Sequence, residues 1–501
     1  MAQISGDKPT IPLAATGIEG LDDVLQGGLA RDRVFLLEGN PGTGKTTIAL
    51  QFLLEGRRQG ERGLYITLSE TAGELAISAA SHGWSLNGID VFELLPPEDL
   101  LDEQQQQSLL YSSDLELGET TRRIFEAFDN AGPDRVVLDS LSEIRLLAQS
   151  SLRYRRQILA LKHFFAKRQV TVLLLDDLTT DVNDKTVHSV AHGVIRLEEL
   201  APDYGAERRR LKVVKYRGQA YRGGYHDFVI ATGGARVFPR LVSAEHKRGF
   251  RREKLESESA ELNALLGGGI ERGSSVLALG PAGSGKSILV LTFVANAIRR
   301  GEKAAIFLFD EEQGLLIERS KGINLDLDQM LGTGLLTIQQ VDAAELSPGE
   351  FAQSVKRCIE SGAQSIVIDS LNGYQAAMPQ ENALVLHMHE LLQFANRQGA
   401  TTFLTVAQHG LVGEMKSPVD LTYLADTVIL LRYFEALGRV RRAMSVMKKR
   451  TGRHEDTIRE YLIDKRGLTL GEPLTNFQGV LRGVPILRNE SPAPMLRGAD
   501  E

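Results

Sequence analysis

Short apolar runs alternate with helical patterns along most of the chain. In the first half we interpret five runs as buried strands, at residues 34–37, 64–68, 136–139, 170–175 and 194–197. In the second half the same interpretation applies to residues 276–279, 306–309, 366–369, 401–406 and 427–431. Strands that alternate with helices predict an α/β fold, with a mostly parallel sheet covered on both faces and a ligand at the carboxyl ends of the strands.

The two halves are copies of one pattern. Gly27-Gly28-Leu29 and Gly268-Gly269-Ile270 lie 241 positions apart, whereas the Asp-Ser-Leu sequences that begin at Asp139 and Asp369 lie 230 positions apart. The first copy therefore holds about eleven extra residues, which we place in a surface excursion at residues 96–119.

This internal repeat predicts a tandem duplication, with domains at residues 1–245 and 246–485 and a short tail at residues 486–501. We interpret the charged stretch from about residue 243 to residue 258 as the linker between the domains. A length of 501 residues with 42% hydrophobic residues is sufficient for ordinary domain cores.

Each copy has a glycine-rich motif that follows an apolar run and leads into a helical pattern. The helical pattern lies at residues 47–52 in the first copy and at residues 288–293 in the second. Glycines let backbone N–H groups converge on an anion, the following helix N-terminus adds partial positive charge, and a lysine can bridge the β and γ phosphates. This context favours two nucleoside triphosphate sites over two glycine-rich turns with solvated lysines. The residues predicted to bind ATP are Gly39, Asn40, Pro41, Gly42, Thr43, Gly44, Lys45, Thr46 and Thr47, and Gly280, Pro281, Ala282, Gly283, Ser284, Gly285, Lys286, Ser287 and Ile288.

A nucleoside triphosphate is normally bound together with Mg²⁺, and each copy offers two oxygen ligands for that ion. Thr46 and Ser287 place a hydroxyl group after the phosphate-loop lysine, and Asp139 and Asp369 each end an apolar run. An aspartate at a strand end can also be an ordinary turn or cap residue. Its occurrence downstream of a phosphate loop in both copies favours the metal-binding role.

Hydrolysis needs a carboxylate that orients or deprotonates the attacking water. After the strand that follows the phosphate-loop helix, the first copy offers Glu70 and the second offers Glu311 or Glu312. Neighbouring carboxylates raise each other's pKa, which would strengthen a base in the second copy. The alternative is a solvated acidic loop.

A basic pair stands near the end of each copy, Lys215 with Arg217 and Lys448 with Arg450. Residues two apart on an extended strand share one face. Each pair is therefore placed to reach the γ-phosphate of a neighbouring subunit in trans, although a solvated basic hairpin would give the same pattern.

Composition narrows the class of protein. The formal net charge of −7 gives no overall drive toward nucleic acid, and no apolar stretch approaches the roughly 18 residues of a membrane span. The first residues lack a signal-peptide pattern, so we expect a soluble, cytoplasmic protein without membrane association. A lone cysteine, Cys358, is expected to be inert.

Together these features resemble the KaiC family within the RecA-like ATPases. The duplicated loops, the Gly-Gly-Leu and Gly-Gly-Ile sequences, the Asp-Ser-Leu strands, the basic pairs and the passage at residues 420–464 carry the resemblance over almost the whole chain. It implies two tandem RecA-like P-loop NTPase domains, ATP and Mg²⁺ as cofactors, and a double-ring homohexamer with ATP at subunit interfaces. It also implies slow hydrolysis in the first ring, autophosphorylation and dephosphorylation in the second, and a role in circadian-type or stress-linked signalling.

Within that family an adjacent hydroxyl pair before an Asp-Thr strand is phosphorylated, and the matching residues here are Thr422 and Tyr423. Tyrosine departs from the usual Ser-Thr pair, so Thr422 is the first choice, Ser417 is a weaker neighbour, and a purely structural Thr422 is the alternative. The tail lacks the family's extended KaiA-binding terminus. The resemblance therefore implies a KaiC-like protein with a possible KaiB-like partner and without KaiA.

Two other hypotheses stay open from the sequence. A DNA-handling motor of the recombinase or helicase type shares the same core, but the acidic balance argues against a nucleic-acid partner. A non-catalytic scaffold in which ATP only joins subunits would need neither Glu311 nor Glu312.

Overall fold

A computed structural model describes residues 11–94, 109–178, 186–201, 205–245, 249–377, 381–408, 410, 422–436, 438–482 and 485–487. The chain divides into two compact units between Arg240 and Leu241, five residues before the predicted domain boundary. Ser417 and most of the predicted tail lie outside the described residues.

In the described residues the first unit has eleven strands, and nine of them form one sheet. Its strands are β1 (Leu13–Ala14), β2 (Leu29–Ala30), β3 (Val34–Gly39), β4 (Gly63–Thr67), β5 (Ile89–Glu93), β6 (Arg135–Asp139), β7 (Thr171–Asp177), β8 (Gly193–Leu200), β9 (Arg208–Tyr216), β10 (His226–Ala231) and β11 (Gly234–Phe238). Its helices are α1 (Glu19–Val24), α2 (Lys45–Arg58), α3 (Ala72–Ser81), α4 (Leu109–Ala131), α5 (Leu141–Ala148), α6 (Ser151–Lys167) and α7 (Thr186–Val190). The sheet order is β11-β10-β9-β8-β3-β7-β6-β4-β5, with β1 and β2 forming a separate pair.

The second unit repeats this architecture. Its strands are β12 (Lys254–Leu255), β13 (Ile270–Glu271), β14 (Ser275–Gly280), β15 (Lys303–Leu308), β16 (Leu336–Gln340), β17 (Ala363–Asp369), β18 (Thr401–Ala407), β19 (Thr427–Ala436), β20 (Arg439–Lys449), β21 (Arg459–Asp464), β22 (Gly467–Pro473), β23 (Phe477–Gln478) and β24 (Ile486–Leu487). Its helices are α8 (Ala260–Leu265), α9 (Lys286–Arg299), α10 (Gln313–Lys321), α11 (Leu327–Gly332), α12 (Pro348–Glu360), α13 (Leu371–Ala377) and α14 (Glu381–Gln398). The main sheet has the order β16-β15-β17-β18-β14-β19-β20-β21-β22.

In each main sheet six strands are parallel, and the remaining three continue from β8 or β19 as an antiparallel meander. The central strand of each sheet is buried on both faces. Val34 and Leu36 pack into one core of the first unit, while Phe35 and Leu37 pack into the core on the opposite face. This double burial explains why the parallel strands read as continuous apolar runs. The predicted fold of two tandem RecA-like domains is confirmed.

The sequence prediction was wrong for part of the stretch at residues 96–119. Residues 109–119 form the beginning of α4 and are not a surface excursion. Leu117, Ile124 and Phe128 are buried in the core on the face of the sheet that α4 covers. Their spacing is that of one helix face, which the polar residues around them obscured in the sequence.

The predicted linker is also partly structured. Lys254–Leu255 pairs in antiparallel fashion with Ile270–Glu271 and so belongs to the second unit. Among the helices in the described ranges, none has the length and apolar character that a membrane span requires.

Candidate nucleotide sites

Both phosphate loops connect the central strand of a sheet to a long helix. The ammonium group of Lys45 donates to the carbonyl oxygens of Gly39 and Asn40, at 2.8 and 3.0 Å. Lys286 makes the matching bonds to Gly280 and Pro281, at 3.0 and 2.9 Å. The helices α2 and α9 begin at these lysines without a side-chain cap from any described residue. Their first N–H groups are therefore available to an anion.

The glycine before each lysine is required by the backbone. Gly44 and Gly285 both have φ of 96°, in the left-handed region. A Cβ atom on Gly44 would lie 2.3 Å from Cδ1 of Ile230, and one on Gly285 would lie 2.4 Å from Cδ1 of Ile463. The close approach of β10 or β21 therefore helps to fix the shape of each loop.

In the first unit the aspartate at the end of β6 lies beside the phosphate loop. Asp139 accepts a hydrogen bond of 2.5 Å from the hydroxyl group of Tyr65 and lies near the charge of Lys45. Burial raises the pKa of Asp139, and the Tyr65 hydrogen bond opposes this effect. Asp177, at the end of β7, forms an ion pair of 2.7 Å with Lys45. The first site therefore holds two carboxylates close to one lysine.

In the second unit the aspartate is held from the other side. Asp369 accepts a hydrogen bond of 2.5 Å from the hydroxyl group of Thr405 on β18. The strand registers place Ile306 where the first unit has Tyr65, and Ala407 where it has Asp177. Burial lowers the pKa of Lys286, and the nearby charge of Asp369 partly offsets this effect.

The oxygen ligands at the first site fit Mg²⁺. Mg²⁺ is usually held in nucleotide sites by one or two protein oxygens together with phosphate oxygens and water. Thr46 stands directly after the phosphate-loop lysine, and the charge of that lysine acts on the carboxylate of Asp139 at the end of β6. Within the described part of the chain, no group of three or more His, Cys, Asp or Glu side chains could hold a metal ion without such additional ligands.

The candidate bases lie at equivalent positions after β4 and β15. Glu70 is partly buried, and burial followed by the charges of Asp139, Glu74 and Asp177 raises its pKa. For Glu311, burial raises the pKa, the guanidinium group of Arg319 at 2.8 Å opposes it, and the charge of Asp369 adds to it. A raised pKa is what a general base in either site requires.

Glu312 has a structural contact instead. Its carboxylate accepts hydrogen bonds from the backbone N–H groups of Gly314 and Leu315, at 2.9 and 3.1 Å, and so caps α10. The same position in the first unit is Thr71, which caps α3. Glu311 is therefore the counterpart of Glu70.

The basic pairs bind the connection that precedes β8 or β19. We call this connection the loop, and in the first unit it includes α7. Lys215 donates to the carbonyl oxygens of His188 and Ala191, and Arg217 donates to that of Ser189. In the second unit Lys448 donates to the carbonyl oxygens of Thr422 and Ala425, and Arg450 to that of Tyr423. Each pair therefore occupies the same place relative to its loop in both units.

The two candidate phosphorylation sites lie in this loop of the second unit. Thr422 is partly buried, whereas the side chain of Tyr423 is exposed. Arg450 also forms an ion pair of 3.3 Å with Asp426, which in turn accepts a hydrogen bond of 2.9 Å from the backbone N–H group of Ser275. The acceptor candidates and the basic pair thus belong to one small structural element.

Sequence reasoning missed the residues that distinguish the two sites. Asp177 is the second of two aspartates that follow the apolar run at residues 170–175, and this acidic pair at a strand end could have identified it. Tyr65 and Thr405 carry no comparable signal, because their role depends on which strands are neighbours in the sheet.

A search against family models matches the model described as "ATPase: KaiC" at residues 14–242 and 257–475. Among characterised proteins, the chain is 28% identical over 494 residues to the circadian clock protein KaiC3 of Synechocystis sp., covering 96% of both chains. It is 29% identical to the circadian clock oscillator protein KaiC of Parasynechococcus marenigrum, covering 94% of this chain and 92% of the relative. For KaiC of Thermostichus vulcanus the values are 28% identity, 96% and 93%.

Proposed function

Since the chain belongs to the KaiC family of ATPases and is a KaiC-like ATP-binding protein, we propose that it hydrolyses ATP in its first domain and phosphorylates itself in its second. The observation that carries this proposal is the repeated association of three features in each unit. These are a phosphate loop with an uncapped helix, a strand-end aspartate beside it, and a basic pair held against one loop.

The two basic pairs support a ring in which each ATP lies between subunits. The four cations of these pairs come after the core strands that carry the phosphate loop of their own unit. The contacts described above hold them against backbone carbonyl groups and, for Arg450, against Asp426. A cation held in this way can be presented to a neighbour's γ-phosphate. We propose a homohexamer, the arrangement that the family resemblance implies.

In the first domain Glu70 acts as the base for hydrolysis. Its carboxylate takes a proton from the attacking water, the water oxygen forms a bond to the γ-phosphorus, and the bond to the β–γ bridging oxygen breaks to release ADP. Lys45 remains on the phosphates, and the neighbour's Lys215 and Arg217 stabilise the charge that develops. Mg²⁺, held by Thr46 and Asp139, would supply further neutralisation of the phosphate oxygens.

In the second domain the nucleophile is the hydroxyl group of Thr422. Its oxygen forms the bond to the γ-phosphorus, its proton passes to Glu311 of the subunit that binds the ATP, and ADP leaves. Thr422 lies on the loop that Lys448 and Arg450 bind, so the acceptor and the cations reach the nucleotide together. Ser287 and Asp369 are the proposed magnesium ligands, and Tyr423 is a second possible acceptor.

The wider context is proposed from the family. We place the protein in the cytoplasm, in circadian-type or stress-linked signalling, with a KaiB-like protein as a partner and without KaiA or nucleic acid. Relatives that are named as circadian clock proteins support the signalling role in this proposal.

Mass spectrometry after incubation with ATP and Mg²⁺ tests the kinase activity. We expect phosphate on Thr422, and we expect Glu311→Gln to abolish it while the first domain continues to hydrolyse ATP. Glu312→Gln is the matched control, since an amide oxygen can still cap α10. Phosphate that appears nowhere between Ser417 and Thr427 would remove the kinase assignment and leave the ATPase assignment in place.

A further inference from the structure

A buried acidic side chain in the first unit has no part in the chemistry described so far. Glu38 is the residue of β3 immediately before Gly39, and its side chain is 2% exposed. One carboxylate oxygen lies 2.6 Å from Nε2 of His188 and the other lies 2.7 Å from Nε of Arg196. Both oxygens of a buried carboxylate are therefore satisfied by cationic or N–H partners.

The charge on this cluster follows from its contacts. Burial acts to raise the pKa of Glu38, but the hydrogen bonds and charges of His188 and Arg196 outweigh it, so the pKa is lowered. An ionised carboxylate is only an acceptor, and the Nε2 atom of His188 must therefore carry the hydrogen. This bond ties α7 to the strand that leads into the phosphate loop.

The same short helix carries the carbonyl groups that hold the basic pair. The carbonyl oxygen of His188 itself accepts a hydrogen bond from Lys215, and that of the next residue, Ser189, accepts one of 3.1 Å from Arg217. His188 therefore contacts the phosphate-loop strand through its side chain and the basic pair through its backbone.

The second unit has replaced the whole cluster. Leu279 and Leu430 stand in register at the positions of Glu38 and Arg196. Thr422 stands at the position of His188, because Lys448 binds its carbonyl oxygen as Lys215 binds that of His188. The pairing of a carboxylate with a histidine at these two positions thus belongs to the first unit, while the second unit has a leucine and a threonine there and connects its loop to β14 through Asp426 and Ser275.

We propose that His188 is a positioning residue of the first ATPase site. Its hydrogen bond to Glu38 fixes α7, and with it the carbonyl groups that orient Lys215 and Arg217 toward the γ-phosphate of a neighbouring subunit. The inference rests on the proposed trans role of that pair. It predicts that His188 affects the rate of hydrolysis and leaves the binding of ATP unchanged.

Steady-state hydrolysis by the full chain tests this role, with Lys286→Ala included so that the first site supplies the turnover. We expect His188→Ala to lower kcat by about tenfold or more and to change KM for ATP less than about twofold. His188→Gln should restore most of the rate, because its amide N–H can still donate to Glu38. His188→Thr places the residue of the second domain there and should resemble His188→Ala.

A control and a double variant separate the inference from general destabilisation. His226 is also a buried histidine of the first unit, bonded to two backbone groups, and His226→Gln should leave kcat unchanged at a temperature where the protein is folded. Combining His188→Ala with Arg217→Ala should lower kcat by less than the product of the two single losses, because His188 acts in part through Arg217.

The outcomes are distinct. A normal kcat for Arg217→Ala would overturn the trans role and the inference with it. A low kcat for Arg217→Ala with a normal kcat for His188→Ala would overturn the inference alone. Failure of His188→Gln to recover activity, or additive losses in the double variant, would also contradict a positioning role.

Discussion

The two nucleotide sites share one backbone and differ in the polar side chains that neighbouring strands contribute. In the first site Asp177 pairs with Lys45, and Tyr65 holds Asp139. In the second site Ala407 stands in place of Asp177, and a threonine on the opposite neighbouring strand holds Asp369. The phosphate loops themselves do not explain the difference, since their lysines make the same carbonyl contacts.

We infer that the loop motif provides the backbone proposed to bind the triphosphate, whereas the flanking strands supply the side chains that differ between the two sites. The lysine of the first site already has a carboxylate partner at 2.7 Å, which ATP must displace or accommodate. In the second site burial lowers the pKa of Lys286, and the negative charge of Asp369 partly offsets this effect. A bound phosphate would add further negative charge beside this lysine. The first unit links its basic pair to the central strand through Glu38 and His188, whereas the second makes this link through Asp426 and Ser275.

The largest expected effect separates the two activities. Lys286→Ala should lower phosphorylation of Thr422 at least about a hundredfold, since it removes the cation on the transferred phosphate. Lys45→Ala should abolish hydrolysis in the first ring or block assembly. Phosphopeptide analysis, ATP turnover and size-exclusion chromatography would measure these effects. Equal loss of both activities by each variant, in intact hexamers, would contradict a division of labour.

A second prediction concerns the stability of the two units. Arg135 is fully buried on β6, where it pairs with Glu61 and donates to two backbone carbonyl groups, and the equivalent residue on β17 is Ser365. Arg135→Ala leaves buried acceptors unpaired and should destabilise the first unit by about 3–5 kcal/mol. Ser365→Ala should be nearly neutral.

Urea unfolding followed by the fluorescence of Trp84, the one tryptophan of the chain, reports on the first unit and measures the effect of Arg135→Ala. Circular dichroism gives the matched value for Ser365→Ala. Similar free energies of unfolding for Arg135→Ala and the wild type would show that this buried arginine does not stabilise the first unit.

A third prediction concerns the position beside each phosphate-loop lysine, which is aspartate in the first site and alanine in the second. Asp177→Ala removes a partly exposed ion pair that competes with phosphate, worth about 1 kcal/mol, and should tighten ATP binding at the first site about fivefold. The converse change, Ala407→Asp, should weaken binding at the second site by a similar factor. Titration calorimetry with a non-hydrolysable analogue, in chains with the other site inactivated, would measure both. Weaker binding by Asp177→Ala would instead assign Asp177 to the nucleotide-bound state.

The smallest expected effect is a shift in pH dependence. A general base must be ionised, so hydrolysis in the first ring falls as pH decreases through the pKa of Glu70. Because burial raises that pKa, the decline should occur at a higher pH than for a solvated glutamate. A pH–rate profile checks this shift, and Glu70→Gln should remove that limb of the profile together with most of the activity.

Much of each candidate site could be predicted from the sequence, whereas the remaining contacts depend on the order of the strands in the sheet. The phosphate loops and Asp139 and Asp369 follow from motif spacing because local backbone geometry fixes them. The contacts Tyr65–Asp139 and Glu38–His188 join residues 74 and 150 positions apart, and they depend on which strands and loops become neighbours. The start of α4 was missed because its apolar residues are interleaved with polar ones. The capping role of Glu312 depends on where α10 begins.

Mixing two inactive variants tests most directly whether each ATP is shared between subunits. One chain carries Lys286→Ala, and the other carries Lys448→Ala with Arg450→Ala and a mass tag. After assembly together with ATP, we predict that phosphate appears on Thr422 of the Lys286→Ala chain, because its intact basic pair and acceptor meet the intact phosphate loop of the other chain. A mixture that stays unphosphorylated, or that carries phosphate only on the tagged chain, would contradict the account.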